Sequence, residues 1–482
     1  MKFSASTALL FFSFYVTLSA QELVSSTLLG SRTKTQLTNQ FSLPVIQYGA
    51  RFYRITYTTT DLQGLPDTVS GLVAVPDNPA NAYPRLVYQH GTAGSKLGVP
   101  SFNAAQNGGE GSIGLLFAGL GYVSLLPDYL GLGVSDGFHP YMHAASEASV
   151  AVDMLRALEA FKIQNGVATN SQLFITGYSQ GGHAAMALHR EIETNLSGEF
   201  TVTAAAPMSG PYSIGEIMRN LILSDSVYYY PAYLPNTILS YQTVYGNLFT
   251  QLTDVFKEPY ATNIGQFYAG VISLDQLNSQ LISLLTVNEG DSRPLRMLQP
   301  AVVQDVTANP DHPFNVALRD NDVYAWAPIA PTRLYYCEAD DQVPYLNSIV
   351  ARDSMLARGA VNVVATDVNP AADHGDCVVP ALTSTVFFFA GYQQINTLTD
   401  ASEQLVRPLF LMPNPASDAV VLRDLPENGS VRIVDFSGRL RVAAAVSAGD
   451  LQIGVSGLEN GLYLVQYRTE EKLWQGKLAV QH

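Results

Sequence analysis

The pentapeptide Gly177-Tyr178-Ser179-Gln180-Gly181 constrains this chain more than any other stretch. It follows directly on a strand-like apolar run, residues 173–176, and leads straight into a helical stretch over residues 183–192. A strand that turns so abruptly into a helix leaves no room for side chains beside the turn, and glycine stands at 177, 181 and 182. The turn lifts the Ser179 hydroxyl above the end of a sheet, at the N-terminus of the next helix. Free N–H groups and the helix dipole at that place favour developing negative charge.

Short apolar runs alternate with helical stretches on both sides of this turn. Residues 51–61 and 67–76 alternate in strand fashion and predict a hairpin. Residues 85–89, 122–126, 201–207, 333–337 and 361–366 are further strand candidates. Val150, Met154, Leu158 and Phe161 fall on one helical face. The alternation predicts an α/β fold, a mainly parallel sheet covered by helices. It is interrupted over about 212–326. Ser273 and Gln276 fit a capping box there, followed by an apolar stripe of Leu274, Leu277, Leu281 and Leu284. Residues 228–233 form an aromatic cluster close by. Each leucine alone reads as core. The segment as a whole reads as a helical lid over the sheet's ligand-binding end.

A serine hydroxyl needs a base to become a nucleophile. On strand–turn–helix hydrolase scaffolds the triad follows the chain order serine, acid, histidine. His183 and His189 lie on the helix just after the turn, His312 lies inside the insertion, and His482 is terminal. His374 follows the last apolar run and is the favoured base. Asp340 and Asp341 compete for the acid after the 333–337 run; the pattern Asp-x-x-Val-Pro favours Asp340, and Asp341 stays open. Cys337 and Cys377 each stand three residues from one of these groups. A bond between them would clip the acid loop to the base loop and contribute roughly 4 kcal/mol in the chain-entropy model. The oxyanion would be met by backbone N–H groups, those of Gln180 and Thr92. This chemistry asks for no cofactor and no metal. His139 and His143 are four apart, but Pro140 breaks a helix between them, so both read as loop residues. Gly131-Leu132-Gly133 lacks the spacing of a dinucleotide site.

With these motifs in order the chain resembles the secretory lipase family of alpha/beta hydrolases over about residues 50–392. The resemblance rests on Ser70-Gly71-Leu72-Val73-Ala74-Val75-Pro76, His90-Gly91-Thr92, Pro127-Asp128-Tyr129-Leu130-Gly131-Leu132-Gly133, His139-Pro140-Tyr141, the Ser179 turn and the Asp340 and His374 segments. It implies an alpha/beta-hydrolase fold with a helical lid and a secreted esterase or lipase acting on carboxylic esters, including lipids. A peptidase or acyltransferase on the same scaffold, or a surface-binding protein that has kept the fold, are the alternatives.

Both ends read as export signals. Lys2 and the apolar run 8–18 predict a signal peptide over residues 1–20, since eleven residues are too few to span a bilayer. A catalytic domain would occupy 21–392 and a linker 393–408. From 409 to 482 short alternating runs predict a small all-β sandwich domain. Met412-Pro413-Asn414-Pro415-Ala416-Ser417, Val434-Asp435-Phe436-Ser437-Gly438-Arg439 and Leu458-Glu459-Asn460-Gly461-Leu462-Tyr463 resemble the C-terminal sorting domain of the type IX secretion system. The resemblance implies that secretion machinery as partner, and a protein released or held on the outer cell surface without a transmembrane anchor. The balance of 26 basic against 41 acidic residues, a net charge of −15, excludes a generic nucleic-acid binder.

Overall fold

The computed structural model describes residues 22–106, 109–398, 406–409, 411–435, 439–469 and 472–482. The expected signal peptide at 1–20 lies outside these residues. The chain divides into two compact units between Asn396 and Thr397.

The first unit is built on one large sheet. Its main strands are β1 (Leu23–Arg32), β2 (Ala50–Thr60), β3 (Pro66–Pro76), β4 (Asn81–Gln89), β5 (Val123–Pro127), β6 (Ala168–Tyr178), β7 (Ala204–Met208), β8 (Thr332–Tyr336) and β9 (Val363–Asp367), in the order β1-β2-β3-β5-β4-β6-β7-β8-β9. The expected hairpin is β2–β3, paired from Ala50↔Pro76 to Thr60↔Pro66. Its turn is closed by Asp61, whose carboxylate accepts from the N–H groups of Gln63 and Leu65. From β5 onwards all neighbours pair in parallel.

Parallel strands are covered on both faces, and the side chains sort accordingly. Val87 of β4 joins a core with Val150, Met154, Leu158 and Phe161 of the helix Ala144–Asn165. Its neighbours Leu86 and Tyr88 join the opposite core, with Leu115 and Phe117 of the helix Gly111–Gly119 and Phe389 of the helix Val378–Ala390. The chain leaves β4 towards β5 on one side and returns to β6 on the other. The loops after β4 and β6 therefore emerge side by side, which is where open α/β sheets bind ligands.

The insertion between β7 and β8 is helical, as expected, and carries helices Tyr233–Tyr245, Leu274–Glu289 and Pro313–Asp320 among others. The capping box is present: Ser273 Oγ accepts from Gln276 N at 3.2 Å and Gln276 Oε1 from Ser273 N at 2.8 Å. The apolar stripe differs from expectation by one residue. Leu274, Leu277, Leu281 and Leu285 are buried, while Leu284 is only half-buried, because two steps of four track the helix face better than a final step of three.

The second unit is all β. A five-stranded sheet includes Gly429–Asp435, Leu440–Val446, Gly461–Arg468 and Leu473–Val480; a three-stranded sheet holds Leu411–Met412, Ala419–Leu425 and Gly449–Gly454. Val420 and Leu422 from one sheet and Val431, Ile433 and Val465 from the other share one core, which makes a small sandwich. Leu440–Val446 was not read as a strand from the sequence, since three consecutive alanines separate its two β-branched residues, Val442 and Val446, and blur the alternation that marks one.

Candidate active site

Ser179 sits at φ 61°, ψ −122°, a region that non-glycine residues rarely occupy. Its surroundings hold it there. Ser179 N donates to Met208 O at 3.1 Å, and Ser179 O accepts from Gly182 N at 2.8 Å and His183 N at 3.2 Å. The glycines are required by close approach: a Cβ on Gly177 would lie 2.6 Å from Gln89 O, and one on Gly181 2.8 Å from His90 O. The backbones of β4 and β6 thus touch where the turn leaves the sheet.

Behind the turn lies a buried polar network. Gln180 Nε2 donates to Glu147 Oε1 and to His139 Nε2, both at 2.9 Å. Glu147 Oε2 meets His183 Nδ1 at 2.7 Å, and His183 Nε2 reaches Asn321 O at 2.8 Å. His139 Nδ1 lies 2.9 Å from Leu130 O and so carries the hydrogen, leaving Nε2 to accept from Gln180. Burial pushes His139 down to about 4, which keeps that ring neutral. His139 was expected to be structural, and it does serve the loop. It also fixes the side chain of Gln180.

The β4 loop is held by a carboxylate that the sequence did not reveal. Gly91 N donates to both Glu110 oxygens, at 2.9 and 3.0 Å, and Tyr88 OH donates to Glu110 Oε2 at 2.8 Å. Gly91 N–H is therefore committed. Among the described residues the backbone N–H groups of Thr92 and Gln180 have no acceptor. Glu110 carried no sequence signal, being in a loop far from the motifs it serves. Glu147 did carry one: it extends the 150/154/158/161 apolar stripe by three residues upstream, so a charge stands on a core face.

The loops that carry Asp340 and His374 meet across the ends of β8 and β9. Asp340 Oδ2 lies 2.7 Å from His374 Nδ1, and the two side chains are almost fully buried. Asp340 Oδ1 accepts from the N–H groups of Gln342 at 3.0 Å and Val343 at 2.8 Å. With both oxygens accepting, Nδ1 carries the imidazole hydrogen and Nε2 keeps its lone pair. Asp341 does something else: its Oδ1 accepts from the backbone N–H of His374 at 3.2 Å. The Cys337–Cys377 disulfide is present. The Ser179 turn reaches the base loop through its neighbour. Tyr178 OH donates to His374 O at 2.6 Å, and the two rings lie 5.0 Å apart. Among the described residues no hydrogen bond joins Ser179 Oγ to His374.

Two hollows are lined by the insertion. One, of about 130 Å³, is inside the insertion and lined mainly by apolar side chains, including Met218, Val303 and Phe314. The other, of about 220 Å³, is lined by Thr92, Tyr230, Asp275 and Asn278. Tyr233 is a wall of both.

This architecture has close counterparts. The ligand-bound form of the rice cell wall degrading esterase LipA from Xanthomonas oryzae is 30% identical, with a TM-score of 0.67 over 77% of this chain and 98% of that one. The chain belongs to the secretory lipase family of α/β hydrolases. The fold extends to Candida antarctica lipase A, at 16% identity and a TM-score of 0.58 over 77% of this chain and 83% of that one. No curated protein sequence matches the chain. Residues 411–481 match the secretion system C-terminal sorting domain, as the three tail motifs implied. This family member is therefore addressed to secretion and the outer cell surface by the type IX machinery. Among the described residues no helix is long and apolar enough to cross a membrane.

Proposed function

We propose that this hydrolase cleaves carboxylic esters through Ser179, His374 and Asp340, by way of an acyl-enzyme. His374 Nε2 takes the Ser179 proton as Oγ attacks the ester carbonyl. The same nitrogen then hands that proton to the departing alcohol. Water repeats the sequence and releases the acid. Asp340 holds the imidazole in the tautomer this requires and stabilises its charged form. The oxyanion is met by the unpaired N–H groups of Thr92 and Gln180, the first next to Gly91, whose own N–H is held by Glu110, the second backed by Glu147 and His139. The observation that carries the reading is the 2.7 Å bond between Asp340 Oδ2 and His374 Nδ1, on two loops clipped by Cys337–Cys377. The Ser179–His374 bond would form as substrate seats, since such bonds are often long in unliganded enzymes.

The test is turnover of p-nitrophenyl esters beside aminoacyl amides, with fluorophosphonate labelling of wild type and Ser179→Ala. Ester turnover and a label that vanishes in Ser179→Ala are expected. Turnover of amides alone would make the chain a peptidase. A folded wild type that takes no label would make it a binding protein.

A further inference from the structure

Gln342 is almost fully buried and makes hydrogen bonds in three directions. Its N–H donates to Asp340 Oδ1 at 3.0 Å. Its main-chain oxygen accepts from Tyr228 OH at 3.1 Å, and its side-chain Oε1 accepts from Tyr233 OH at 3.0 Å. Tyr228 and Tyr233 are both walls of the apolar cavity inside the insertion. A hydroxyl buried without a partner is costly, so each ring faces the cavity while its hydroxyl turns onto a polar group outside. Both hydroxyls settle on this one residue of the acid loop. Any group that enters the cavity packs against two rings whose far ends are pinned to the residue that also holds Asp340.

The cavity suits a short stretch of hydrocarbon. Its volume of about 130 Å³ is close to that of apolar cavities of about 150 Å³ that take benzene, so it accepts roughly six carbon atoms. We propose that Gln342 is a positioning residue: it couples an acyl-chain end seated in the insertion's cavity to the placement of the Asp340–His374 pair. The coupling makes the enzyme faster on medium acyl chains than on acetyl esters. The inference rests on the triad reading given above.

A merely structural Gln342 would, when removed, slow every ester alike. A coupling residue would slow the longer chains more. The experiment measures kcat and KM for p-nitrophenyl acetate and hexanoate in wild type, Gln342→Ala, Tyr233→Phe and the double variant. Tyr233→Phe keeps the ring and the packing and removes only the bond. Each single variant should lower kcat on hexanoate about tenfold and on acetate about twofold, with the double no worse than the poorer single, as expected for two ends of one interaction. Equal losses on both esters, or losses that multiply in the double variant, would overturn the coupling. Fluorophosphonate labelling of the wild type separates the two readings. A wild type that neither labels nor cleaves esters overturns the triad and the coupling together. A labelled, active wild type whose chain-length ratio survives both substitutions overturns the coupling alone.

Discussion

The loops at the strand ends and the helical insertion touch each other yet are ordered by different forces. At the Ser179 turn, position is set by backbones in contact and by buried polar bonds such as Gln180–Glu147 and Glu110–Gly91. In the insertion it is set by apolar packing, with Leu277, Leu281 and Leu285 fully buried in its core, and the insertion's cavity is lined mainly by apolar side chains as well. Hydrogen bonds fix direction, whereas hydrophobic contact fixes mainly volume. In the mechanism proposed above, the groups that meet a developing charge are held by the first kind, and the surface proposed to take hydrocarbon is built from the second.

Four substitutions would break or sharpen this contrast. Asp340→Asn should have the largest effect, because it leaves the shape and spoils the tautomer: kcat falls about 10⁴-fold while the thermal midpoint barely moves. A loss of less than about tenfold would mean that direction is not what this carboxylate supplies. Gly181→Ala tests contact between backbones. The new methyl would overlap the main chain of Gln89 and His90, which cannot yield, so we expect a loss of more than about 3 kcal/mol and little soluble protein. Leu281→Ala tests the insertion, where truncating a fully buried leucine should cost about 3 kcal/mol in denaturant unfolding. The folded variant should keep its acetate kcat to within about threefold; a collapse of acetate activity would show that insertion packing sets the triad directly.

The smallest effect is expected where the two regions join. Asp322 Oδ1 accepts from Gly215 N at 2.8 Å and so ties the two ends of the insertion together. Burial, the main cause, raises its carboxyl from 3.8 to about 6. The folded state therefore binds the proton more tightly than the unfolded chain, and this group's contribution to stability falls as pH rises through about 4 to 6. Asp322→Asn keeps an acceptor for Gly215 and removes the buried charge. It should stabilise by about 1–2 kcal/mol at about pH 7.5 and by nothing near pH 4, as thermal melts at the two pH values would show. An equal shift at both would point to packing instead.

Much of this architecture was legible because it is local. Periodicity along the chain reveals β2, β3 and the helix Ala144–Asn165, since each side chain's direction follows from the backbone. The crowding at Gly177 and Gly181 is a property of one turn and can be inferred from one pentapeptide. The strand Leu440–Val446 escaped because alanine expresses no preference for a sheet; its pairing with the neighbouring strand Gly429–Asp435 makes it a strand. Glu110 escaped because the amide it holds is nineteen positions away and belongs to a different element.

What the residues determined by themselves was therefore the alternation of strands and helices, the sharp turn at Ser179 and the export character of the tail, all written in neighbours along the chain. Which of two adjacent aspartates faces the His374 ring, which carboxylate holds the Gly91 amide, and which residue of the loop after β8 receives the insertion's tyrosines were decided only in three dimensions. Each depends on a hydrogen bond across a fold, where a difference of one position in the chain reverses the direction a side chain points.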